Sequence, residues 1–211
     1  ISSSLGLKIS PKPNQTLKVN ALIFGLSDSP QSKWGLLDSV PKEDEQIGEL
    51  IDSSEYLNSG FTFNNLAEQL KENNYSILHL ATHGYFGGTA ESSFVLAYDQ
   101  EIPIPKLEKL LQNSKTVPNL LVLSACETAV GSELSVLGLA GIAAKSGVDS
   151  TLGSLWQVAD EAQLEVIHDF YSLINNNLSN KEEALRQVQI KQIREFAHPD
   201  KWASLNLIGN Y

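Results

Sequence analysis

Three short apolar runs, each closed by turn residues, punctuate the chain: Val19–Leu26 (VNALIFGL), Ser76–Ala81 (SILHLA) and Asn119–Ala125 (NLLVLSA). None alternates polar with apolar positions, the pattern of strands buried on both faces. Ser150–Trp156 (STLGSLW) repeats the grammar more weakly because Gly153 interrupts it. Phe94–Tyr98 (FVLAY) reads as an edge strand or hairpin arm, and Trp202–Ile208 as a last strand. Between the runs, apolar residues recur at helical spacing in Glu43–Ile51 and Asn64–Lys71. Pro105 opens a further helix carrying Leu107, Leu110 and Leu111, since proline suits a first helical turn. Leu137–Lys145 is apolar nearly all round and ends at Gly147, as a helix packed tightly on a sheet does. Asp160 with Gln163, and Asn180 with Glu183, resemble capping boxes for the two helices that follow. Strands alternating with helices predict an α/β fold, a mostly parallel central sheet with helices on both faces.

The first fifteen or so residues break this pattern. They are rich in Ser, Pro, Lys and Asn, so 1–18 reads as a linker or lead-in arm and 19–211 as one domain. The chain opens on Ile rather than Met, which reads as a segment of a longer polypeptide. A length of 211 residues with 42% hydrophobic and 19% charged residues suits an ordinary globular core. The net charge of −10 speaks against a nucleic-acid partner, which needs clustered Lys and Arg. No apolar stretch is long enough for a membrane span. The single cysteine excludes an internal disulfide framework and a cysteine-rich zinc site, and a free thiol fits a reducing, cytoplasmic setting.

Reactive side chains gather beyond the carboxyl ends of strands in open parallel sheets. The run ILHLA leads into Thr82-His83-Gly84, and LLVLSA leads into Cys126-Glu127-Thr128. If these two strands are neighbours, an imidazole and a thiol emerge at one edge. A thiol at its free pKa is only a few per cent ionised at neutral pH, and an adjacent imidazole can take its proton. The backbone N–H groups of Gly84 and Cys126 would then form an oxyanion hole. Trp156, Gln157 and Asp160 follow a strand at the same edge and would wall a substrate pocket, although Asp160 is better read as a helix cap. His79 lies within its strand and reads as a satisfied core histidine. Strand alternation puts His79 and His83 on one face, but neither motif supplies a third ligand, so no metal and no other cofactor is expected.

At these motifs the sequence resembles a known family. Leu78-His79-Leu80-Ala81-Thr82-His83-Gly84 and Leu121-Val122-Leu123-Ser124-Ala125-Cys126-Glu127-Thr128-Ala129 are similar to the signatures of the CHAT domain. Further blocks follow in order: Phe94–Asp99, Leu137–Ala143, Ser150–Ala162, Glu183–Gln187, His198–Ala203 and Leu207–Asn210. The resemblance implies a caspase-like three-layer sandwich, related to caspases and separases, with His83 as general base and Cys126 as nucleophile. It further implies a bacterial protein in which the domain follows tetratricopeptide or other helical repeats. The expected function is therefore a cysteine endopeptidase with a His-Cys dyad, acting on a protein or peptide and regulated by the repeat region or by protein partners. The alternative is a signalling or assembly module that keeps the fold without catalysis.

Overall fold

The computed structural model describes residues 4–6, 18–31, 33–85, 89–124, 141–142, 145–154, 160–195 and 199–209. The apolar runs become the middle of a sheet: β2 (Asn20–Gly25), β4 (Ile77–Ala81), β8 (Leu120–Ser124) and β9 (Ser150–Ser154). With β1 (Ser4–Gly6), β3 (Asp52–Leu57) and β10 (Leu205–Gly209) they form seven strands in the order β1-β10-β9-β8-β4-β2-β3. All neighbours are parallel except β10 against β9. A second, antiparallel sheet of three strands contains β5 (Gly84–Tyr85), β6 (Phe94–Leu96) and β7 (Glu101–Pro103). The run expected as an edge strand or hairpin arm is thus the middle strand of this small sheet. It pairs with β7 as a hairpin arm and with β5 on its other side.

The helices with both ends among the described residues are α1 (Val40–Leu50), α2 (Phe63–Glu72), α3 (Ile104–Gln112), α4 (Asp160–Ile174), α5 (Lys181–Glu195) and a short α6 (Pro199–Trp202). Strand alternation sorts the core into two halves. Leu22, Phe24, Leu78, Leu80, Leu121 and Leu123 share a cluster with residues of α2, α3 and the small sheet. Ala21, Ile23, Ile77, Leu120 and Val122 share another with Ile47 of α1, Phe170 of α4 and Leu185 of α5. The central sheet is therefore covered on both faces, as the unbroken apolar runs require. Most of the expected helix at Leu137–Lys145 lies outside the described residues.

Two elements depart from the hydrophobic pattern. β3 reads DSSEYL and carries no apolar run, because it lies at the sheet margin next to β2 and is only partly buried. Ser4–Gly6 lies within the polar lead-in arm, yet pairs in parallel with β10 at the opposite margin. Backbone hydrogen bonds to a neighbouring strand need no apolar side chain, so composition alone does not reveal either strand.

Candidate active site

β4 and β8 are parallel neighbours, with Ala81 and Ser124 as their last register pair. Thr82 extends the pairing by donating its N–H to Ser124 O at 3.3 Å. His83 is the second residue after Ala81, and Cys126 the second after Ser124, in the sequence. Cys126 itself lies outside the described residues, as do Trp156, Gln157 and the side chain of Asp160, which opens α4.

The backbone around His83 is pinned from both sides by one residue of the small sheet. Leu96 donates its N–H to His83 O at 2.8 Å and accepts the Thr82 hydroxyl at 2.6 Å. Gly84 is the register partner of Val95. With Leu96 N bonded to His83 O, that pair is the non-hydrogen-bonded kind, so the N–H of Gly84 points away from β6.

The His83 ring is buried, only 6% exposed. Its Nε2 lies 2.8 Å from the carbonyl oxygen of Gly35. A carbonyl only accepts, so in the neutral ring this contact assigns the proton to Nε2 and leaves a lone pair on Nδ1. Nδ1 is shielded from solvent and has no hydrogen-bond partner among the described residues. The indole of Trp34 stacks on the imidazole with centroids 5.1 Å apart and an interplanar angle of 28°. Phe94 meets the same indole edge-on at 5.9 Å.

Gly35 and Trp34 belong to the segment between β2 and α1. Asn58 holds its start: its Oδ1 accepts the N–H of Ser27 at 2.9 Å and of Asp28 at 3.1 Å. Leu37 closes the segment by donating to Ser27 O at 2.9 Å and packs with Val40 and Ala81. Lys33 reaches across to Glu101 of β7 at 2.7 Å. Neither Gly35 nor Trp34 stands out in the sequence motifs. A lone tryptophan within the polar stretch Ser27–Gly35 is the one hint the residues offer.

His79 behaves as a core histidine. It is fully buried, with Nδ1 2.9 Å from the Tyr171 hydroxyl and Nε2 3.1 Å from Glu43 Oε1. The Glu43 contact is close but not aligned as a hydrogen bond. Beside it lies Asp44, 1% exposed, with neither carboxylate oxygen hydrogen-bonded among the described residues. Burial, reinforced by the charges of Glu43 and Glu55, raises its pKa to about 8. The two histidines thus take separate partners.

These features define an α/β protein in which a central parallel strand delivers a tautomerically fixed histidine to the carboxyl edge of a doubly covered sheet. The CHAT domain model matches residues 1–210, and the chain belongs to the CHAT domain family. Tetratricopeptide repeat protein 28 of Homo sapiens is 25% identical over 217 residues, a match covering 84% of this chain and 9% of that protein. The Arg-specific cysteine proteinase gingipain R superposes with a TM-score of 0.60 at 11% identity, covering 90% of this chain and 46% of the other. The complex of Porphyromonas gingivalis RgpB pro- and mature domains gives a TM-score of 0.61 at 10% identity, covering 90% and 47%. The fold is caspase-like. The chain thus spans about a tenth of the human relative and about half of each gingipain chain.

Proposed function

We propose that this domain is a cysteine endopeptidase in which His83 and Cys126 form the catalytic dyad. The observation that carries this reading is the Gly35 carbonyl on Nε2 of His83, which leaves Nδ1 as the basic nitrogen at the edge where β8 ends. In the proposed cycle, Nδ1 takes the thiol proton of Cys126. The thiolate then attacks the scissile carbonyl carbon, and a C–S bond forms as the carbonyl π pair moves to oxygen. The N–H of Gly84, with that of Cys126, would hold this oxyanion. Collapse breaks the C–N bond, and the imidazolium gives its proton to the leaving amine. Water then attacks the thioester, losing a proton to His83 as the C–S bond breaks.

Trp156, Gln157 and Asp160 follow β9, which is parallel to β8 and ends at the same edge. We assign Trp156 and Gln157 to the pocket for the residue before the cut, with Asp160 beside them as the better candidate for the cap of α4. The human relative bears the name of a repeat protein, which supports a domain working beside helical repeats and regulated by them or by partner proteins. The burial of His83 fits a site that needs opening, and it equally favours the second reading, a signalling or assembly module without turnover.

The test is alkylation of Cys126 as a function of pH, in the wild type and in His83→Ala. An activated thiol reacts well below pH 8 only when His83 is present. Identical curves, both with the midpoint of a free thiol, would remove the peptidase reading and leave the module.

A further inference from the structure

We infer that Trp34 is a positioning residue for His83, its indole face fixing the plane of the imidazole while the neighbouring Gly35 carbonyl fixes its rotation. The inference rests on the peptidase reading for what the aligned ring does, but the alignment is measurable without turnover.

A histidine ring is poorly fixed by its own rotamer, because the torsion next to an sp² ring is broad. The Gly35 hydrogen bond holds one atom, Nε2, at 2.8 Å. A single contact at one ring atom still lets the plane tilt about it. Tilting swings Nδ1, the atom that must meet a thiol. The stack at 5.1 Å and 28° removes that freedom. Both constraints come from consecutive residues, so they arrive and leave together whenever the segment moves.

Among the described residues the polar end of the indole makes no hydrogen bond that would explain a tryptophan here. Its Nε1 is shielded from solvent and has no hydrogen-bond partner among the described residues. An orphan donor is unfavourable, so the contact that favours tryptophan here is the one its ring face makes with His83. One consequence concerns charge. When the imidazole takes a proton it becomes a cation facing the indole π-system, an attractive arrangement. Lys33 Nζ also lies 5.2 Å from this ring but is engaged by Glu101.

The test compares wild type, Trp34→Phe and Trp34→Leu by ¹⁵N NMR of the His83 ring and by the alkylation rate of Cys126 at pH 7. Phenylalanine keeps a flat ring and loses the orphan N–H; leucine keeps bulk without a stacking face. In wild type and Trp34→Phe, His83 should show one tautomer with the proton on Nε2, and Trp34→Phe should melt no lower than wild type. In Trp34→Leu the ring signals should move toward averaging of the two tautomers, with alkylation slowed about threefold to tenfold, the range of one aromatic pair. Unchanged His83 shifts in Trp34→Leu, or a Trp34→Phe protein as impaired as Trp34→Leu, would overturn the inference. Identical alkylation of wild type and His83→Ala would instead remove the peptidase reading, while the NMR result still judges the role of Trp34.

Discussion

The carbonyl oxygen of Gly35 and Nε2 of His83 lie 2.8 Å apart, so a backbone oxygen decides which imidazole nitrogen keeps its proton. That relationship separates two consequences of changing His83. His83→Gln still offers a side-chain N–H to Gly35 but has no base, whereas His83→Ala offers neither. Both variants should lose any Cys126-dependent cleavage by about a hundredfold or more. The glutamine variant should be the more stable by about 0.5–1.5 kcal/mol, the value of a retained hydrogen bond. Urea unfolding of the two variants, read beside a peptide-cleavage assay, checks both parts.

Asp44 governs a pH dependence of stability that is separate from the proposed dyad. Its carboxyl is raised from an ordinary 3.8 to about 8, first by burial and then by Glu43 and Glu55. An unfolded chain releases this proton near pH 4, while the folded chain keeps it until about pH 8. Over that window the native state binds more protons, so stability falls as pH rises and levels off above pH 8. Asp44→Asn removes this dependence. It should be more stable than wild type by about 1–3 kcal/mol at pH 8, with the gap narrowing toward pH 5. Glu108 is raised by burial in the same sense, but it is common to both proteins and cancels. Urea midpoints at the two pH values give the answer; a gap that does not change with pH would contradict the assignment.

Tyr171 and His79 supply a control at a histidine with its own separate partners. The Tyr171 hydroxyl meets His79 Nδ1 at 2.9 Å in a fully buried setting, and burial pushes its pKa well above the usual value. Tyr171→Phe keeps the ring and leaves Nδ1 without that partner, at a cost of about 1–3 kcal/mol. Thermal melting should register the loss. Because His79 is separate from His83 and its Gly35 contact, the alkylation profile of Cys126 should stay as in wild type.

The sequence made the scaffold readable where burial is two-sided. Unbroken apolar runs marked β2, β4 and β8, since a strand covered on both faces leaves no position free to be polar. β4 and β8 pair in parallel as neighbours, so His83 leaves the sheet beside the strand whose sequence continues to Cys126. β3 escaped because a marginal strand needs no apolar run, and β6 proved central to its sheet because neighbours in space are not written in periodicity. Gly35 escaped for another reason. Its contribution is a carbonyl oxygen, which every residue possesses, so no side-chain pattern announces it. Trp34 was visible as a residue but not as a partner, since stacking on His83 joins positions far apart in the chain.

Asn58 offers a way to loosen that partnership from a distance. It has φ of 47°, a left-handed conformation unusual for a residue with a Cβ. Its Oδ1 also accepts from Ser27 N and Asp28 N, where the segment bearing Trp34 and Gly35 begins. Two substitutions divide these roles. Asn58→Gly tolerates the backbone conformation and loses the hydrogen bonds; Asn58→Ala loses the bonds and is strained as well. Asn58→Ala should therefore be less stable than Asn58→Gly by about 1 kcal/mol, and both less stable than wild type. If the acceptor oxygen holds the segment in place, both variants should disturb the His83 ring signals to a similar degree despite that difference. A disturbance that follows stability instead would place the control in the backbone of Asn58 rather than in its side chain.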